Sequence, residues 1–227
     1  MTVLYEKIRQ TVAETALELL TTGLVVNTSG NVSARLGEHV VITPSGKLYT
    51  DLTPEDVSVV DLQGNVVDGD LLPSSETPLH LGVYEKNPGV SAIVHTHSLY
   101  ATAVSTLVSQ LPAIHYQIAD LGGPVPVVPY RTFGTSDLAS VVSDALKDRT
   151  AVLMQNHGSV TVGDSLRSAL ARSATLEWLS KVYLIASRNG SPSLLDGEQL
   201  QAVAAQFSDF KDRRAKGAVA NKPRSSD

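Results

Sequence analysis

The chain contains no cysteine. Disulfide cross-links, Cys-ligated zinc and iron–sulfur sites are therefore excluded, and any metal ion has to rest on histidine and carboxylate. An excess of positive charge is lacking too: 18 Lys and Arg against 23 Asp and Glu give −5. Nonspecific nucleic-acid binding needs a basic face that displaces phosphate counterions, so this balance argues against it. No uncharged apolar run approaches the ~18–20 residues of a membrane span. Met1 to Lys7 lacks the apolar stretch of a signal peptide. No period of ~20–50 residues repeats, which sets aside solenoids and propellers. These absences predict a soluble, cytoplasmic protein with neither nucleic-acid nor membrane partners.

What is present is a core. Hydrophobic residues make up 42% of 227 positions, enough for one domain of ordinary size. Leu4, Ile8, Val12 and Leu19 predict a first helix that stops at Thr21-Thr22-Gly23. Val32 to Arg35 and Val40 to Ile42 read as strands, and Val57 to Leu62 with Val66-Val67 as a hairpin through Gly64-Asn65. Pro73 to Pro78 reads as a helix entrance, with the stop at Asn87-Pro88-Gly89. A strand over Val90 to Val94 runs into His95-Thr96-His97, and a helix over Leu99 to Leu107 follows. Further strands are expected at Ala113-Ile114, Val125 to Val128, Ala151 to Met154 and Val160 to Val162. Ser136 is the expected cap of a helix over Leu138 to Leu146, and Asp164 that of the longest helix, to about Ala186. A last amphipathic segment carries Leu200, Val203, Phe207 and Phe210. The order predicts one α/β domain over residues 1–215, with a central sheet between helical layers. Several strands are joined by turns, so the sheet should be mixed and mainly antiparallel. The polar tail, 216–227, is expected to be disordered.

Chemistry concentrates in the histidines. At a strand end, residues i and i+2 share a face, so His95 and His97 can reach one metal ion, although such a pair also decorates surface strands. His157, in Gln155-Asn156-His157-Gly158, is a third imidazole in a second turn. Ser74-Ser75-Glu76 offers hydroxyls and N–H groups at a helix N-terminus for an anion, and a carboxylate for metal or proton. The same segment is also an ordinary helix cap. Thr28-Ser29-Gly30-Asn31 and Thr43-Pro44-Ser45-Gly46 are either plain turns or phosphate nests. His80, one turn after Glu76, is a candidate support for that carboxylate.

Thr28-Ser29-Gly30-Asn31-Val32-Ser33, Ile42 to Gly46, Pro73 to Glu76, His95-Thr96-His97 and Asn156-His157-Gly158 follow in this order. The pattern resembles the class II aldolase/adducin family, and extends to Pro112 to Tyr116 and Tyr130 to Thr135. The resemblance implies that His95, His97 and His157 bind Zn²⁺, with Co²⁺ and Mn²⁺ as alternatives, and that Glu76 completes the coordination and shuttles a proton. It implies a substrate phosphate held by Thr28, Asn31, Gly46, Ser74 and Ser75, with Thr43 and Ser45 nearby. Tyr116 is implied as a proton donor to a neighbouring subunit's site in a homotetramer with active sites at its interfaces. The implied reaction is reversible cleavage of a ketose 1-phosphate, of the L-fuculose 1-phosphate kind, to dihydroxyacetone phosphate and an aldehyde such as L-lactaldehyde. Pentulose-phosphate 4-epimerases, sugar-acid decarboxylases and thioribulose-phosphate dehydratases share the metal histidines, and an adducin-like scaffold is the non-catalytic alternative. Phe210 stands nearest to where the aldolases carry a C-terminal tyrosine.

Overall fold

In the computed structural model, which describes residues 2–220, the first element is helix α1 (Thr2–Thr21). Val12, Ala16 and Leu19 are fully buried on it, the i, i+4, i+7 spacing of a helix lying on a core. There follow β1 (Asn31–Leu36), β2 (His39–Ile42), β3 (Ser58–Asp61), β4 (Val66–Asp68), α2 (Thr77–Lys86), β5 (Ala92–Thr96) and α3 (Leu99–Ser105). The second half contains β6 (Gln110–Leu111), β7 (Val125–Val128), α4 (Ser136–Ala145), β8 (Ala151–Met154), β9 (Gly158–Gly163), α5 (Leu166–Ser187) and α6 (Gly197–Ala220). Among the described residues no helix is long and apolar enough to cross a membrane.

The strands form one sheet in the order β4-β3-β2-β1-β5-β9-β8-β7-β6. Only β7 and β8 pair in parallel; the other pairings are antiparallel. Side chains alternate across the pleat. Val41, Ala92 and Val94 pack with Val12, Ala16 and Leu19 of α1. Their neighbours Val40, Ile42 and Ile93 turn to the opposite face, against Leu79 and Val83 of α2 and Leu138 and Val142 of α4. Ala151 and Leu153 meet Val104 of α3 and Leu176 of α5. The architecture is thus the three-layer α/β/α arrangement with a mixed, mainly antiparallel sheet that the sequence predicts.

Several local expectations shift. The strand read at Val90 to Val94 begins two residues later and takes in His95 and Thr96, because its neighbours extend that far: Asn31 pairs with His95 and Ser159 with Thr96. Val90 instead closes a turn on the Asn87 carbonyl. Ala113-Ile114 is not a strand. The Ile114 N–H turns back to the Pro112 carbonyl and the Ala113 carbonyl accepts from Leu195, while Gln110–Leu111 pairs with β7. Thr135 rather than Ser136 caps α4, and Ser165 rather than Asp164 caps α5. Helix α6 passes Lys216 and ends at Ala220, and the rest of the expected tail lies outside the described residues.

Candidate metal centre

In the middle of the sheet the start of β1, the end of β5 and the start of β9 lie side by side. His95 lies in β5 and His97 just beyond it. Opposite His95, Gly30 has φ +81, and a Cβ there would sit 2.7 Å from the His95 carbonyl oxygen. Gly158 leaves no room for a side chain either, because a Cβ would collide with the Thr96 carbonyl. These close approaches bring the β8–β9 turn over the end of β5. In that turn Asn156 adopts a left-handed φ of 56° and the His157 N–H bonds the Met154 carbonyl at 3.1 Å. Glu76 sits immediately before α2, with its N–H on Ser74 Oγ at 3.2 Å.

The three imidazoles surround a common point. Ring centroids are 4.8 Å apart for His95 and His97, and 5.0 Å for each of these with His157. One ligand atom from each of Glu76, His95, His97 and His157 lies within 4.8 Å of the others. His95 Nδ1 donates to the Ser159 carbonyl at 2.9 Å, so its Nε2 faces inward. That nitrogen is 2.8 Å from Glu76 Oε2 and 3.0 Å from His97 Nε2.

A divalent cation fits this donor set. Around an ion with ligand distances of ~2.0–2.2 Å, tetrahedral geometry sets ligand atoms roughly 3–3.5 Å apart. Glu76 Oε1 is buried without a hydrogen-bond partner among the described residues, and lies 3.4 Å from His157 Nε2. Such an orphaned carboxylate oxygen is what a bound cation would satisfy. Without an ion, the electrostatics favour the neutral form at two of the three rings. Burial, with the charge of His95 and His157, pushes His97 down to about 3, and burial with the His95 charge pushes His157 down to about 4. Both rings are therefore neutral, as metal ligands must be. Burial would raise Glu76, but His95 and His157 beside it outweigh this and hold its carboxyl well below the usual range. Burial would lower His95, yet the Glu76 carboxylate outweighs it and raises that ring.

Stripped of metal, the protein should lose thermal stability as pH falls from about 6.5 to about 4. Stability carried by neutral His80, His97 and His157 is complete above 6.5, their ordinary value. It is lost as pH falls towards their folded values of about 3, 3 and 4. Glu76, held down, adds a loss below its ordinary 4.5. His95 is raised, so its contribution is complete below 6.5 and level across this window. A melting temperature that stays constant between these pH values would contradict the assignment.

In front of the cluster lies a cavity of about 370 Å³, a size suited to a small ligand. Thr28 to Asn31, Pro44 to Gly46 and Ser74 to Glu76 line it, together with His97 and His157. The loops are fixed from behind. Ser74 N–H bonds the Thr43 carbonyl at 3.1 Å, Ser45 N–H the Leu72 carbonyl at 2.9 Å, and the Tyr49 hydroxyl the Gly30 carbonyl at 2.8 Å. Among the described residues no hydrogen bond engages the hydroxyls of Thr28, Ser45 or Ser75, which leaves them for a ligand.

One expected residue, Thr43, is not brought to this cavity, and Tyr116, expected at a neighbouring subunit's site, does not line its own. Thr43 is fully buried, and its hydroxyl accepts the Val32 N–H at 3.1 Å, so it fastens β2 to β1 instead. Tyr116 opens a short 3-10 helix, 48% exposed, with its ring against His115 and Phe207. Conversely, Tyr130, Arg131, Phe133 and Asn156, which the sequence places in motifs without a role, line the cavity. An arginine between two aromatics just after a strand, before Gly134, was the available signal. Arg131 is the one basic Lys or Arg side chain among the lining residues.

Residues 10–184 match the family model described as Class II Aldolase and Adducin N-terminal domain. This chain belongs to the class II aldolase and adducin family. It is 38% identical over 206 residues to L-fuculose phosphate aldolase of Escherichia coli, covering 90% of this chain and 95% of that one. To 5-deoxy-D-ribulose 1-phosphate aldolase of Bacillus thuringiensis it is 35% identical over 209 residues, covering 91% and 98%. A solved L-fuculose 1-phosphate aldolase superposes with a TM-score of 0.86 at 36% identity, over 89% of this chain and 96% of the other. Class II aldolases are lyases that use a divalent metal, and the Glu76–His95–His97–His157 cluster could hold one.

Proposed function

We propose that this chain is a Zn²⁺-dependent aldolase that reversibly cleaves a ketose 1-phosphate to dihydroxyacetone phosphate and an aldehyde. The carrying observation is that one cavity of about 370 Å³ joins a four-ligand metal cluster to three hydroxyl-bearing loops. The relatives named above act on different 1-phosphorylated ketoses. Their shared phosphate end suits the Thr28, Ser45–Gly46 and Ser74–Ser75 loops, with Arg131 adding positive charge. Holding that end fixes the reacting carbon against the cluster, so remote binding energy orients the bond to be broken.

A cation held by Glu76, His95, His97 and His157 supplies Lewis-acid polarisation of the ketone oxygen. As the carbon–carbon bond breaks, its electron pair stays with the ketone half and the hydroxyl proton of the other half departs. In the condensation direction the Glu76 carboxylate removes the proton from the carbon of dihydroxyacetone phosphate that forms the new bond, and in cleavage the carboxylic acid so formed returns it. In condensation the phenol of Tyr116 of the partner subunit, in a cytoplasmic homotetramer, donates its proton to the new hydroxyl oxygen. Cleavage runs this transfer backwards, and solvent carries the proton from Glu76 back to Tyr116 of the partner subunit between turnovers. Tyr116 is exposed and is not among the residues that line its own cavity, which supports that reading.

The test is condensation. Zinc-loaded protein given dihydroxyacetone phosphate and L-lactaldehyde, glycolaldehyde or acetaldehyde should form ketose 1-phosphates. Absence of any such product, with epimerisation of a pentulose 5-phosphate instead, would replace the aldolase assignment by a 4-epimerase.

A further inference from the structure

From Glu76 inward runs a row of buried polar side chains contributed by β1 and α2. Asn31 Nδ2 is 3.1 Å from Glu76 Oε2, and Asn31 Oδ1 meets His80 Nε2 in a short hydrogen bond. His80 Nδ1 is 2.6 Å from Ser33 Oγ, which is 2.8 Å from Tyr84 Oη. Ser33, His80 and Tyr84 have no exposed surface, and Asn31 only 4%. A polar row this dry is costly unless every member is satisfied.

The chemistry of the groups fixes the direction of each bond. An ionised carboxylate only accepts, so the Asn31 amide nitrogen faces Glu76 and its oxygen faces His80. An amide oxygen also only accepts, so His80 Nε2 carries the hydrogen. His80 is neutral, because burial and the nearby His95 hold it down to about 3. Its Nδ1 is then an acceptor, Ser33 donates to it, and Tyr84 donates to Ser33. Every donor points towards Glu76.

We infer that His80, Ser33 and Tyr84 are positioning residues that lock the Asn31 amide onto Glu76 Oε2, so that Oε1 is the oxygen presented to metal and substrate. Asn31 reaches the cavity edge, yet its side chain is committed to this row. The role of Glu76 rests on the proposed function above, but its orientation is measurable without turnover.

The probe is Co²⁺ alone, titrated into stripped protein and followed by visible absorption, which reports whether the carboxylate remains a ligand. His80→Leu removes the Nε2–H donor, and His80→Gln keeps a side-chain N–H. We expect His80→Leu to weaken Co²⁺ binding about 10–100-fold and to change its spectrum, the range usual for partners behind metal ligands. His80→Gln should recover most of both. Ser33→Ala, a smaller change, should move both in the same direction by less and serves if His80→Leu does not fold. With L-fuculose 1-phosphate the loss should fall on kcat, with KM unchanged. Wild-type Co²⁺ binding and spectrum in a folded His80→Leu or Ser33→Ala protein would overturn the inference. So would equal losses in His80→Leu and His80→Gln, the mark of a packing role. Wild-type protein that binds Co²⁺ yet cleaves no ketose 1-phosphate would refute the proposed activity instead, while the Co²⁺ comparison still decides the row.

Discussion

Replacing His157 by alanine should abolish stoichiometric binding of a divalent metal by a protein that still folds. The loss should exceed the ~10–100-fold typical of partners behind the ligands, because an inner donor is removed. The fold should survive because the turn is held by main-chain bonds, His157 N–H to Met154 and Gln155 N–H to the Val128 carbonyl, which alanine keeps. Asn156, not His157, takes the left-handed conformation there. Elemental analysis after dialysis, with a melting curve on the same sample, reads both quantities. Stoichiometric zinc in His157→Ala would remove this histidine from the ligand set.

The second large effect concerns Glu76. Changing it to glutamine keeps the size and an oxygen that can accept from Asn31 Nδ2, but deletes the base. A positioned acid–base group contributes roughly 10²–10⁴ in rate, about 3–5 kcal/mol of barrier. The kcat of Glu76→Gln should fall by that factor. KM should change little, because the free hydroxyls of Thr28, Ser45 and Ser75 that would bind phosphate are untouched. Near-normal turnover would assign the proton transfer to another group.

Much of this site could be read from local patterns. The β-branched run before His95 and the i, i+2 spacing to His97 put two imidazoles on one side of a strand end. The glycine after His157 marks a close approach, and it lies against the Thr96 carbonyl. What local patterns could not give is which polar group is spent on which neighbour. Asn31 and His80 are 49 positions apart in sequence, and Asn31 and Glu76 are 45 apart. Nothing near Asn31 says that its amide turns to a carboxylate rather than to a ligand. Thr43 reads as a loop hydroxyl but is consumed by the Val32 N–H across the β1–β2 pair. The wall formed by Tyr130, Arg131 and Phe133 depends on β7 ending beside β8, where Tyr130 N–H meets the Gln155 side chain. The missed pairing of Gln110–Leu111 is similar in kind, since two residues carry no periodicity.

The most direct test of the account is dihydroxyacetone phosphate release from L-fuculose 1-phosphate or 5-deoxy-D-ribulose 1-phosphate. It should be followed on one preparation as purified, after chelation, and after Zn²⁺ is restored. The account predicts release that falls to background with the metal and returns with it, in proportion to zinc bound. Release that persists in verified metal-free protein, or none from zinc-loaded protein with either sugar, would contradict it.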